Sequence, residues 1–154
     1  MVISKWDPTA YPGHYLSRIA RALTRIGDVR LGELGFATAQ LPVLAALQDG
    51  KRLSQTDLAR WAKVEQPTMA QMLARMERDK IIRREPDPKD RRGSLVFLTE
   101  EARSRIPAGR AILQRGNVEM TKGLSTEEVN TLVGLLRRVL DNLDEMETQQ
   151  SCSA

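Results

Sequence analysis

Residues 54–98 of this 154-residue chain restrict its fold more than any other stretch. Ser54 and Asp57 fit the S-x-x-D capping pattern, which opens a helix to about Ala62. Lys63-Val64-Glu65 is the turn, and Gln66-Pro67-Thr68 starts a second helix to about Arg78, with Pro67 suited to a first turn where a missing N–H costs least. Two short β-prone arms follow, Ile81-Ile82-Arg83-Arg84 and Leu95-Val96-Phe97-Leu98, and Pro86-Asp87-Pro88 with Gly93 enforces a turn between them. Two helices at a tight turn and then a hairpin with a charged tip give the outline of a winged helix-turn-helix.

Such a helix pair needs small residues where its helices cross and apolar ones where they face the core. Leu58, Ala59, Ala62, Val64, Met69 and Met72 stand at those offsets, and Ala59 permits the close approach. Lys63 occupies a turn position often held by glycine, so the pattern alone also admits an ordinary packed helix pair. The sequel separates the two. Along the second helix Met69, Met72, Leu73 and Met76 form the core side, while Gln66, Thr68, Gln71 and Arg75 form a polar side. Gln and Arg carry the hydrogen-bonding shapes that read adenine and guanine edges in the major groove. The hairpin tip bears Lys89, Arg91 and Arg92, cations suited to phosphates or to the negative potential of a minor groove. Asp90 sits among them, and phosphate would repel it, so fixing an arginine side chain is its expected role.

Charge placement agrees. Residues 51–93 hold 12 Lys or Arg against 7 Asp or Glu, whereas the rest of the chain holds 12 against 13. The whole basic excess lies in the expected reader. With 41% hydrophobic, 29% charged and only 4% aromatic residues, the core falls to Leu, Ile, Val, Ala and Met, and the expected class is mainly α, with the hairpin as its β component (α+β). No apolar run reaches the roughly 18 residues of a membrane span and no basic-then-apolar leader opens the chain, so the expected location is cytoplasmic. One cysteine, Cys152, and one histidine, His14, supply neither a disulfide nor a metal cluster, and a thiol or zinc sensor is disfavoured. No phosphate loop, nucleophile elbow or H-E-x-x-H is present, which argues against an enzyme and gives no cofactor to expect.

Outside the central stretch, residues 1–13, with Trp6, Pro8, Tyr11, Pro12 and Gly13, read as an extended arm. Over residues 14–34 Leu16, Ile19, Ala20, Leu23 and Ile26 recur at helical spacing beside a basic stripe of Arg18, Arg21 and Arg25, and Gly32 and Gly35 bracket the end. Thr38 is the expected N-cap of a second helix to Leu47, with Pro42 near its first turn. Thr99 caps a fifth helix with Glu100 and Glu101 in its first turn, which Pro107 and Gly109 are expected to kink or delay. Ser125 with Glu128 makes another capping box, and Val129, Leu132, Val133, Leu136, Leu140 and Leu143 form a clean stripe to about Met146, with the last eight residues frayed. Trp61 and Trp6 are expected to pack rather than to stack on a ligand.

These residues carry a family resemblance. Glu65-Gln66-Pro67-Thr68, Leu73-x-x-Met76-Glu77 and Asp87-Pro88-Lys89-Asp90-Arg91-Arg92 followed by Val96-x-Leu98-Thr99 resemble the MarR family of bacterial transcriptional regulators, and its SlyA-like members in particular. Phe36-Ala37-Thr38-Ala39-Gln40 before Val43-Leu44 resembles the opening of that family's second helix. The resemblance implies one MarR-type domain over residues 1–154, with a DNA-binding part at 36–98 and helical dimerisation parts at 10–35 and 99–148. It implies a homodimer, its first, fifth and sixth helices interleaved, presenting two readers to a palindromic operator in double-stranded DNA. By position, Gln66, Pro67, Thr68 and Gln71 match the major-groove surface, Arg92 the minor-groove arginine of the wing and Asp90 its brace. SlyA-like proteins often place an arginine where this chain has Gln71, so its operator preference need not match theirs. Arg18 and Arg21 match first-helix arginines near small aromatic carboxylate ligands that release DNA, although surface or dimer salt bridges are an alternative role. A winged-helix module that docks protein without reading DNA stays open, since fold does not fix function.

Overall fold

The structure, a computed structural model, describes residues 7–152. Trp6 and the first part of the expected arm lie outside them. Within the described part of that arm, Pro8–Ala10 forms a 3₁₀ turn capped by the Asp7 carboxylate. Helix α1 then begins two residues earlier than the stripe suggests and covers Pro12–Gly32. Its end is set by Gly35, which holds φ at +73° while the Phe36 N–H returns to the Leu31 carbonyl at 3.1 Å. Such a left-handed residue favours glycine.

A 3₁₀ turn at Thr38–Gln40 leads into α2, Leu41–Leu47. Thr38 is therefore inside the turn rather than its cap, and its backbone N–H is held from α1 by Asp28 Oδ1 at 2.7 Å. A two-residue strand β1, Leu53–Ser54, precedes α3, Gln55–Ala62, and α4, Gln66–Arg78. Strands β2, Ile82–Asp87, and β3, Asp90–Leu98, complete an antiparallel sheet in the order β1-β3-β2, with Ile82 opposite Leu98 and Leu53 opposite Val96. Helix α5, Glu100–Met120, starts at Thr99, whose hydroxyl accepts from the Ala102 N–H at 3.2 Å. Helix α6 covers Thr126–Cys152 behind the expected Ser125–Glu128 box, and it continues six residues past Met146 where fraying was expected.

Pro107 neither delays α5 nor ends it. It removes the hydrogen bond to the Arg103 carbonyl, but both residues are exposed on the solvent side of the helix, where the loss costs least.

The chain divides into two compact units between Gln114 and Arg115. In the first, Leu31, Val43, Leu47, Leu58, Met69, Leu73, Met76, Ile82 and Val96 are fully or almost fully buried in one core. Each such side chain contributes about 1.5–3 kcal/mol relative to exposure. Arg105 of α5 donates to the Leu34 carbonyl at 2.8 Å and lies 5.3 Å over the Phe36 ring, which fastens α5 to the end of α1. In the same unit Tyr15, Ile19, Leu23 and Ile26 of α1 are exposed. The second unit has no buried side chain among its described residues, and Leu132, Val133, Leu136, Leu140 and Leu143 line α6 in the open.

Trp61 departs from expectation, being 64% exposed. At about 100° per residue it sits roughly 110° around α3 from the face centred on Leu58, Ala59 and Ala62, too far to reach the core.

Candidate nucleic-acid interface

Both helices of the reader are started and stopped by local chemistry. Ser54 Oγ accepts from the Asp57 N–H at 3.1 Å and donates to Asp57 Oδ2 at 2.7 Å, so the first turn of α3 is closed. Helix α3 stops because Lys63 turns left-handed, φ 51°, and the Val64 N–H bonds back to the Ala59 carbonyl at 3.1 Å. Lysine there costs about 1–2 kcal/mol that glycine would avoid, yet the turn forms. Glu65 is extended, and Pro67 lies in the first turn of α4.

The core fixes which way α4 faces. Met69, Leu73 and Met76 are fully buried, whereas Gln66, Pro67, Thr68, Gln71 and Arg75 are all exposed. On a helical wheel Thr68, Gln71 and Arg75 cluster about 130° from the centre of the buried face. Rotating them out of solvent would expose three core side chains, so the polar face is held outward. Carboxamide, hydroxyl and guanidinium groups in that row can donate to and accept from base edges.

The wing tip is built by two aspartates. Asp87 Oδ1 accepts from the Lys89 N–H at 2.8 Å, and Asp90 Oδ1 accepts from the Arg92 N–H at 3.0 Å, two side-chain-closed turns in succession. Asp90 therefore holds the Arg92 backbone and not, as expected, an arginine side chain, since no ion pair joins Asp90 to a wing arginine among the described residues. A Cβ on Gly93 would lie 3.1 Å from Asp90 Oδ2, so glycine leaves the carboxylate its place. The strand register jumps here, from Pro86 opposite Ser94 to Asp87 opposite Asp90, which takes Arg91, Arg92 and Gly93 out of the ladder. Lys89, Arg91 and Arg92 are exposed on this bulge.

Three contacts that sequence patterns do not signal tie the elements of the reader and the wing together. Arg84 of β2 reaches Glu77 of α4, Nε to Oε2 3.2 Å, so Glu77 is more than a solvated surface residue. Arg52, just before β1, pairs with Glu85 and lies 5.1 Å over the Phe97 ring. Gln55 Nε2 donates to Gln66 Oε1 at 3.3 Å, joining the first residues of α3 and α4. Their partners stand 7, 33 and 11 positions apart on different elements, so no single helix or strand period joins them.

A cavity of about 220 Å³ opens among Leu31, Phe36, Leu44, Ile106, Gly109 and Leu113, with Gln48 and Arg110 as its polar members. Arg110 Nη2 donates to Gln48 Oε1 at 2.6 Å. Arg18 and Arg21 do not line it. They are exposed on α1, and Arg21 precedes Leu31 by ten residues, about 15 Å of helix. Among the described residues there is no group of three or more His, Cys, Asp or Glu placed to hold a metal ion, and no helix long and apolar enough to cross a membrane.

A capped helix pair, an outward polar row on the second helix and a cationic wing define the winged helix-turn-helix class. Residues 34–93 match the model of the MarR family. A curated relative, the uncharacterized HTH-type transcriptional regulator YdgJ of Bacillus subtilis, is 28% identical over 113 residues, 73% of this chain and 69% of its own length. Among solved structures, a MarR variant from E. coli complexed with operator DNA is 27% identical with a TM-score of 0.79, covering 89% of this chain and 99% of that one. The PcaV transcriptional regulator from Streptomyces coelicolor, solved with its natural ligand, is 26% identical with a TM-score of 0.80, covering 90% of this chain and 98% of that one. Residues 34–93 thus form a MarR-type domain, and the chain is similar in sequence and fold to MarR-type transcriptional regulators.

Proposed function

We propose that this protein represses transcription in the cytoplasm as a homodimer on a palindromic operator, and that a small aromatic carboxylate releases it. The observation that carries the reading is the row Thr68, Gln71 and Arg75, turned outward by the burial of Met69, Leu73 and Met76, with Gln66 exposed at the start of the helix. In this reading the row enters the major groove while Arg92, with Lys89 and Arg91, grips the flank. Support for a dimer comes from the exposed leucines and isoleucines of α1 and α6, apolar stripes that a monomer would leave in water. A two-fold axis then sets two readers about 34 Å apart, one turn of B-DNA.

The 220 Å³ cavity has room for a one-ring molecule and Arg110 is the cation at its lining, while Arg18 and Arg21 of α1 stay the candidates for a carboxylate held outside it. A ligand that binds best to a dimer with another reader spacing shifts the population away from DNA. Selection of bound fragments from randomised double-stranded DNA tests the reading. An inverted repeat with half-sites about 10 bp apart is expected. Enrichment of unsymmetrical sequences, or none, contradicts it.

A further inference from the structure

We infer that Gln55, which lies outside the row that faces the groove, is a positioning residue that sets how Gln66 reads DNA. The inference rests on the reading of Gln66 as a base contact. Gln55 and Gln66 are the first residues of α3 and α4, and each backbone is fixed independently of the other. Ser54 closes the turn that carries Gln55, Leu53 beside it is paired with Val96, and Pro67 restricts the turn that carries Gln66. Their side chains meet at 3.3 Å, with Gln55 Nε2 donating and Gln66 Oε1 accepting. Gln55 is half-buried and Gln66 exposed, and the contact between their amides is open to solvent.

This contact has a chemical direction. A free glutamine can turn either end of its amide to a base, and its adenine-reading mode uses the carbonyl as acceptor and the amine as donor together. With one lone pair of Oε1 engaged and the amide plane held by Gln55, Gln66 leads with its NH₂ group. It then addresses an acceptor on the base edge, N7 or O6 of guanine, N7 of adenine or O4 of thymine. Gln55 thereby removes a rotational freedom that Gln66 would otherwise lose on binding, and it favours bases that present an acceptor over cytosine, which presents a donor.

The test compares the full-length protein with Gln55→Ala, Gln55→Met and Gln66→Ala on a randomised double-stranded DNA library, sequenced after selection, with random-sequence affinity and thermal unfolding measured alongside. Methionine keeps the length of Gln55 and removes its donor. Both Gln55 variants are expected to lose about three- to tenfold of the discrimination at one base step per half-site, matching the freeing of one side chain. They should keep random-sequence affinity and melting temperature, and Gln55→Ala should have no added effect in a Gln66→Ala background. An unchanged profile in the Gln55 variants, with an altered one in Gln66→Ala, overturns the inference and leaves the base contact standing. A uniform loss on every sequence also overturns it, because Gln55 would then serve phosphate binding or folding. An unchanged profile in Gln66→Ala overturns both.

Discussion

Glu77 in the last turn of α4 accepts a hydrogen bond from Arg84 Nε of β2 at 3.2 Å, so the reading helix and the wing are joined side chain to side chain as well as through the chain between them. Both partners are partly solvated, and a pair of this kind is worth about 0.2–1 kcal/mol. A double-mutant cycle with Glu77→Gln and Arg84→Met should return a coupling in that range in denaturant unfolding. Zero coupling would mean that the backbone alone aligns the two elements.

Arg92 and Gln71 should fail in opposite ways. Arg92 stands on the wing bulge with its backbone held by Asp90, and Gln71 stands mid-row on α4. Arg92→Ala should weaken binding to all sequences and reduce the slope of log affinity against log salt by roughly one unit per wing contact. Gln71→Ala should leave that slope intact and change which base is preferred. Titrations of both variants over a range of salt concentrations separate the roles, and an unchanged slope for Arg92→Ala removes it from the interface.

Acid should loosen the junction between α1 and the reader. The Thr38 backbone N–H, and after it the Thr38 hydroxyl, hold the Asp28 carboxyl below its ordinary value. A carboxyl lowered on folding adds stability above its unfolded pKa, about 3.9, and that stability disappears as pH falls through the lowered folded value. Asp28→Asn should therefore be less stable than the parent at neutral pH and should lose less stability below about pH 4. Parallel pH-dependent unfolding curves for the two proteins would exclude this linkage.

The exposed stripe of α6 should be an assembly surface. Leu136→Glu and Leu140→Glu place charges among side chains that are exposed in the single chain, so a monomer should tolerate them. In a dimer they should dissociate the subunits and cut operator affinity by about 10²- to 10⁴-fold through loss of the second reader. Sedimentation equilibrium reads the first effect and gel shift the second. A variant that still sediments as a dimer would move the interface elsewhere.

What could be read from the sequence follows the range of the interactions. The Ser54–Asp57 cap, the two faces of α4 and the Ser125–Glu128 box depend on residues a few positions apart, and all three stand where their patterns place them. Strand β1 is invisible locally because two residues show no alternation, and only Leu95 and Val96, some forty positions later, make Leu53 and Ser54 a strand. Arg52, Gln55 and Glu77 look like ordinary polar surface until the fold supplies Glu85, Gln66 and Arg84. The sequence suggests that Asp90 fixes an arginine side chain, whereas the turn itself gives it the Arg92 backbone N–H.

The central claim is that α4 and the wing together read sequence, and its most direct measurement is the affinity of the full-length protein for a selected operator and for random DNA at physiological salt. The account predicts a preference of about 10³-fold or more, lost when Gln66, Thr68 and Gln71 are replaced together by alanine while random-sequence binding persists. Equal affinity of the parent protein for both DNAs would contradict it.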